Sequence, residues 1–153
     1  GLLVMIFLMF VGASPGSTGG GIKTSTLFAL IQGIKTAATN TSGKAFHYSV
    51  PHGVFRKASV IAVMGISVIA VGTFMLCAFE PDIAIRDALF EMTSAFGTVG
   101  LTTGITTGLC TASKLTSIVM MYIGRLGPLT IATLWYFTNG DRIKYPDGNI
   151  AIG

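Results

Sequence analysis

The sequence predicts an all-α polytopic membrane protein, and three observations lead there. The 153 residues are 51% hydrophobic and only 10% charged, with a mean hydropathy of +0.73, whereas soluble domains carry roughly 25% charged residues. Residues 58–79 run without a single charge, and a helix that crosses a bilayer needs about 20 residues. A Gly/Thr-rich segment also recurs, 14–20 matching 98–104, each time behind an apolar stretch too short to cross.

Taken in order, residues 2–11 (LLVMIFLMFV) are too apolar for a surface loop and too short to span. They suit a half-membrane helix, a re-entrant segment or a truncated span. No basic n-region or cleavage site accompanies them, so a signal peptide is not expected. The first residue is Gly rather than Met, which predicts a longer parent chain.

Next comes GASPGSTGGGIKTST, residues 12–26, with five glycines and one proline. It resembles a phosphate-binding loop, but that template needs lysine directly after its second glycine. Ile22 stands there and Lys23 comes one place late, which turns the ammonium away by about 100° at a helix start. A nucleotide site is therefore not expected, and the glycines need another explanation. A helix begins at Thr24 and is expected to reach Gln32. Residues 33–45 (GIKTAATNTSGKA) are small and polar, which makes a weak helix and a flexible segment or an ordinary connection.

The span of residues 58–79 follows. EPDIAIRDALFEM then holds Glu80, Asp82, Asp87 and Glu91 against Arg86. Residues 85–96 form the second short helix, and TVGLTTG, residues 98–104, the second Gly/Thr loop. Residues 115–138 are a second span, interrupted by Arg125. Basic residues set orientation. Lys35, Lys44, Arg56 and Lys57 put the connection before residue 58 inside the cell, and the acidic segment lies outside. Arg142 and Lys144 return the C-terminal tail to the inside. The net charge of +4 then reflects topology and gives no reason to expect nucleic-acid binding.

The repeat aligns Gly16 with Gly100, Thr18 with Thr102 and Gly20 with Gly104. Its unit is a spanning helix, a half-length helix, an extended Gly/Thr loop and a second spanning helix. Irregular backbone at membrane depth is tolerated only where protein buries it or it lines a wet cavity. Extended Gly/Thr segments can aim successive carbonyls at such a cavity, as filters do when they replace the water around a potassium ion. The short helix before each loop points its negative C-terminal end the same way. Thr98, Val99 and Gly100 match the start of the TVGYG filter, with Leu101 in place of Tyr.

GASPGSTGGGIKTST, FEMTSAFGTVGLTTGIT and MYIGRLGPLT together resemble the Trk/Ktr/HKT superfamily of potassium transporters, most of all its bacterial Ktr-type membrane subunits. The resemblance covers nearly the whole chain, and the three motifs come in the family's order. It implies a potassium-channel-like pore built from four helix–pore helix/filter loop–helix repeats, of which this chain would hold the end of the third (residues 1–57) and the fourth (58–140). A short cytoplasmic tail (141–153) follows. The filter would comprise Ser14, Pro15, Gly16 and Ser17 in one repeat and Thr98, Val99, Gly100 and Leu101 in the other, with potassium held at Gly16 and Gly100. A mobile loop of small residues would gate the pore from below: Thr36, Ala37, Ala38, Thr39, Asn40, Thr41, Ser42 and Gly43. Arg125, near the middle of its span, would supply the other half of that gate. A charge there is costly and by default functional, although a structural arginine bonded to helix-end carbonyls is the competing reading. The resemblance further implies a plasma-membrane homodimer in the lipid bilayer, opened by a cytoplasmic ring of nucleotide-binding KtrA-type subunits. No cofactor is expected in this chain; potassium is the substrate, and sodium can act as an activator.

Other residues read more plainly. His47 and His52 lie five apart with no nearby Cys or carboxylate and suggest no metal site. Cys77 and Cys110 are expected as two lone thiols. Lys23 is expected to contact loop carbonyls rather than the pore. The four acids of residues 80–91 either concentrate cations outside or keep a loop wet. Two other function classes compete. A sodium-coupled or sodium-permeable secondary cation transporter also uses repeats and broken helices, but both loops here enter from the same side. An enzyme is not expected, since no paired carboxylates, Ser/His dyad or metal cluster lies on the spans.

Overall fold

In the computed structural model the described residues are 1–39, 44–45, 48–49, 52–127 and 130. Asn40, Thr41, Ser42 and Gly43 of the expected gate loop, His47, and residues 131–153 lie outside them. Among the described residues are five α-helices: α1 (Leu2–Phe10), α2 (Thr24–Thr39), α3 (His52–Phe79), α4 (Ile85–Gly97) and α5 (Thr111–Leu126). A 3-10 turn, Thr106–Gly108, precedes α5. Two two-residue strands, β1 (Lys44–Ala45) and β2 (Tyr48–Ser49), pair antiparallel between α2 and α3, with Lys44 opposite Ser49 and Ala45 opposite Tyr48. With an isolated parallel bridge between Val11 and Ile22, they are the departures from an all-helical chain among the described residues.

Helix lengths sort the elements. The 28 residues of α3 rise about 42 Å, more than the roughly 30 Å of a bilayer's hydrocarbon. Gly53–Phe79 is long and apolar enough to cross a membrane. The nine residues of α1 rise only about 14 Å, half that depth. α3 buries Gly65, Ile69, Gly72, Thr73 and Leu76, the three- and four-residue spacing of one helical face. Its opposite face exposes Val63, Ile66, Val71 and Phe74, the last 74% accessible. Apolar side chains turned outward at this density mark a surface made for an apolar surrounding.

The most buried helix is not the most apolar one. α4, with Glu91, Thr93 and Ser94 in its sequence, buries every residue from Phe90 to Gly97. It packs against α1, α3 and α5, and its Met92, Ala95 and Phe96 form the core with Ile69, Leu76, Leu109 and Met120. A hydroxyl is tolerated there where a helix carbonyl accepts from it, as Leu89 O does from Thr93 Oγ1 at 2.7 Å. The rings of Phe10 and Phe96 stack 6.3 Å apart, so the C-terminal ends of α1 and α4 converge.

Two boundaries differ from the sequence reading. α2 continues to Thr39 instead of weakening after Gln32, which makes Thr36, Ala37, Ala38 and Thr39 helical rather than loop. Ala37 and Ala38 are the strongest helix formers, and the Thr39 hydroxyl donates to Lys35 O at 2.8 Å. α5 begins earlier than residue 115, with Cys110 as N-cap accepting from Ser113 N, and stops at Leu126, where Gly127 takes φ 86°. Glycine at 127 permits that φ, and residues 131–138 of the expected span lie outside the described residues.

Candidate functional site

Both Gly/Thr loops leave the convergent ends of short helices. The first returns beside its own start: Gly12 N donates to Ile22 O at 2.6 Å, and Ile22 N donates to Phe10 O at 3.1 Å. Between these ends, Ser17 N donates to Ser14 O at 3.0 Å, closing a turn with Pro15 and Gly16 at its centre. Proline then glycine is the pairing that suits a type II turn. This loop is therefore more tightly folded than the extended segment read from its sequence, because Pro15 presets the bend.

The second loop starts at the end of α4. Thr98 caps the helix in the left-handed region, φ 52°, while Thr98 N donates to Ala95 O and Val99 N to Ser94 O, both at 3.0 Å. A β-branched residue is rarely held at positive φ, and Thr98 is the only non-glycine so held among the described residues. Val99, Gly100 and Leu101 continue without helix or strand structure, and all three are exposed or half-exposed.

The two predicted filter glycines share a positive φ. Gly16 has φ 87° and its repeat partner Gly100 φ 82°. A Cβ on either would meet nothing within 4 Å. The demand at these positions is thus conformational, and the space beside each is open.

The loops are tied to each other and to their surroundings. Gly20 N donates to Thr98 Oγ1 at 2.9 Å, linking the first loop to the second. Lys23 Nζ donates to Gly19 O at 2.9 Å and Ser17 O at 3.3 Å, the carbonyl contact expected from its place. Arg125 Nη1 donates to Thr18 O, a carbonyl of the first loop. Three successive carbonyls, Ser17 to Gly19, thus face fixed cations.

The acids divide. Glu91 is 8% exposed and accepts from the second loop: Thr102 Oγ1 and Thr103 N (3.0 Å) on Oε1, and Thr106 Oγ1 (3.1 Å) on Oε2. It lies inside, not at an outer surface, and the sequence reading missed this. A lone acid within an otherwise apolar and hydroxyl-bearing stretch was the available signal. Glu80 accepts from Cys110 N at 2.6 Å. That backbone hydrogen bond holds its carboxyl below the usual carboxylate value, with the Cys110 side chain adding to the effect. Asp82 is exposed, and Asp87 lies 3.6 Å from Arg86. Cys77 and Cys110 are both free thiols. No group of three metal-ligating side chains occurs among the described residues.

The chain is similar to known transport proteins. The chain is 35% identical over 153 residues to the Ktr system potassium uptake protein B of Bacillus subtilis, covering 99% of this chain and 34% of that protein. It is 37% identical to the protein of the same name from Vibrio alginolyticus, covering 99% and 33%. To the potassium/sodium uptake protein NtpJ of Enterococcus hirae it is 36% identical over 160 residues, covering 100% and 36%. The chain spans about a third of the length of these curated relatives. The TrkH family, described as a cation transport protein, matches residues 1–143. That range includes both loops, every described helix and Arg125, and this chain belongs to the TrkH family of membrane cation transporters, which are not enzymes.

Proposed function

We propose that the chain forms the end of the third repeat and the fourth repeat of a potassium-uptake pore in the plasma membrane, with the two Gly/Thr loops as two of its four filter strands. The observation that carries this reading is the matched pair Gly16 and Gly100: a positive φ at each, a place in the Gly/Thr loop that follows a short helix, and open space at each Cβ. A residue at positive φ reorients its peptide plane, and a ring of carbonyls so turned can replace a cation's hydration shell. Residues 1–57 supply the end of repeat three, 58–140 repeat four, and 141–153 a cytoplasmic tail. The loops face outside.

Below the filter, Arg125 and the small residues from Thr36 to Gly43 form the gate. Its support is the guanidinium of Arg125 on Thr18 O, a positive charge on a carbonyl of the loop that carries Gly16. Relatives are named for the Ktr system and for potassium uptake. The word system in those names supports a multi-component assembly, which we read as a homodimer opened by a cytoplasmic nucleotide-binding ring of the KtrA type, with sodium as an activator. A sodium-permeable or sodium-coupled transporter is the second reading, favoured by the relative named for potassium and sodium uptake.

Flux through the full-length transporter in proteoliposomes separates the two. A potassium gradient alone should set up a diffusion potential of the Nernst sign, with no counter-flow of sodium. Potassium movement that requires stoichiometric sodium movement would instead establish the coupled carrier.

A further inference from the structure

We propose that Glu91 is the positioning residue of the filter strand of residues 98–101, and that its carboxylate sets how sharply that strand selects among cations. The proposal rests on the filter reading of Gly100. Glu91 is buried in α4, about two helical turns before Thr98, and reaches past the strand to the segment that follows it. Both of its oxygens are engaged there: Oε1 accepts from the Thr102 hydroxyl and the Thr103 amide, and Oε2 from the Thr106 hydroxyl. Thr102 Oγ1 in turn lies 2.8 Å from Thr106 Oγ1 and accepts from Gly104 N at 2.9 Å. The strand is therefore anchored at both ends, by the α4 cap at Thr98 and Val99 and by this network just after Leu101. Gly100 and Leu101 lie between the two anchors and take their register from them.

The internal repeat sharpens the case. In the alignment that sets Gly16 on Gly100, the position matching Glu91 is Phe7, which is 56% exposed and has no group to hold a loop. The first loop is held instead by Lys23 on Ser17 O and Gly19 O, and the position matching Lys23 is Thr107. One loop is thus fixed through its carbonyls by a cation, the other through its amide and hydroxyls by an anion. The carboxylate engages donors and no carbonyl of the second strand, whereas Lys23 takes Ser17 O, the last carbonyl of the first strand, and Gly19 O beyond it. Discrimination between cations of different size should then fall more heavily on the second strand, whose geometry Glu91 fixes.

The test is uptake kinetics of the full-length transporter in cells without other potassium uptake, measured for potassium, rubidium and sodium with membrane expression recorded. Glu91→Gln keeps the size but replaces one acceptor oxygen by a donor; Glu91→Asp keeps the charge but withdraws it. Thr106→Val removes one partner at an exposed position. Losing one hydrogen bond to a charged group shifts an equilibrium by about tenfold or more. Glu91→Gln should raise the potassium half-saturation concentration by about that factor, with a smaller change in maximal rate, and lower the potassium-to-sodium ratio. Glu91→Asp should fall between Glu91→Gln and the wild type. Thr106→Val should act like Glu91→Gln but more weakly, and add little when combined with it. Expressed variants whose half-saturation and ion ratio match the wild type would overturn the proposal, as would full additivity of the two changes. Loss of expression in Glu91→Gln leaves Thr106→Val to decide by the same readouts. Gly100→Ser, run beside them, keeps the two claims apart. If it alters selection while the Glu91 and Thr106 variants do not, the brace fails and the filter stands; if it alters nothing, the filter reading fails first.

Discussion

The backbone amide of Gly20 donates to the hydroxyl of Thr98 at 2.9 Å, joining the two loops that carry the equivalent glycines Gly16 and Gly100. The bond reaches from the loop that follows α1 to the cap of α4, and Thr98 offers it from the left-handed backbone conformation. Strain of this kind persists only where the surroundings over-determine it. The hydroxyl is therefore more than a cap.

Replacing Thr98 by Val should leave the Gly20 amide without its partner and destabilise the full-length protein by about 1–3 kcal/mol. Thr98→Ser keeps the hydroxyl and should recover most of that. Thermal unfolding in detergent ranks the three; equal midpoints for Val and Ser would show that the bond contributes nothing.

Gly124 lies where α5 crosses the end of α4. A Cβ there would stand 1.8 Å from Phe96 O, a backbone atom, whereas one at Gly72 would meet the flexible side chain of Met120 at 2.8 Å. Gly124→Ala should cost about 1–3 kcal/mol or more from overpacking and lower membrane expression. Gly72→Ala should be milder, since the Met120 thioether can move. The order of expression and of thermal midpoint checks this.

Glu80 carries a pH dependence of definite sign. Its carboxyl is held below the ordinary value of 4.5 by the Cys110 amide, so the ionised form is the one that folding favours. The stabilisation is present above 4.5 and is lost as pH falls through the lower folded-state value. The gap in thermal midpoint between wild type and Glu80→Gln should be constant near neutrality and close under acid conditions. A gap that widens on acidification would contradict the assignment.

Much of this organisation is legible in the sequence, for physical reasons. The span of α3 is carried by an unbroken apolar run, and α1 and α4 by their length against the bilayer's thickness. Gly16 and Gly100 stand out because the two matching Gly/Thr segments both carry glycine there, and few other residues adopt a positive φ. The offset of Lys23 argues against a phosphate loop, and its contact with Ser17 O and Gly19 O is the structural role expected of it. Less legible is the end of α2, where Ala37 and Ala38 outweigh the small polar composition around them. The turn at Pro15 and Gly16 is hidden when the loop is read as uniformly extended. The role of Glu91 depends on three partners from the loop beyond its own helix, contacts set by tertiary folding and not by local pattern.

If Arg125 forms a barrier beneath the filter, removing its charge should speed ion passage. At about 6 Å, with an effective dielectric near 20, a fixed charge repels a potassium ion by roughly 3 kcal/mol. Its loss raises flux by up to about a hundredfold where that barrier limits the rate. Arg125→Gln should thus increase potassium uptake at normal expression, and deletion within residues 36–42 should do likewise. Effects that combine to less than their sum would place arginine and small residues in one gate. Unchanged or lower uptake from well-expressed variants removes the gate role.

The central claim is that Gly16 and Gly100 belong to one cation filter, and the most direct measurement is the potassium-to-sodium uptake ratio of full-length Gly16→Ser and Gly100→Ser variants at wild-type membrane expression. Each serine must adopt a positive φ, at a cost of about 1–2 kcal/mol, and projects a side chain into the open space beside the strand. The account predicts a lower ratio in both variants, through weaker potassium uptake at low external potassium. A wild-type ratio and half-saturation in both would contradict it.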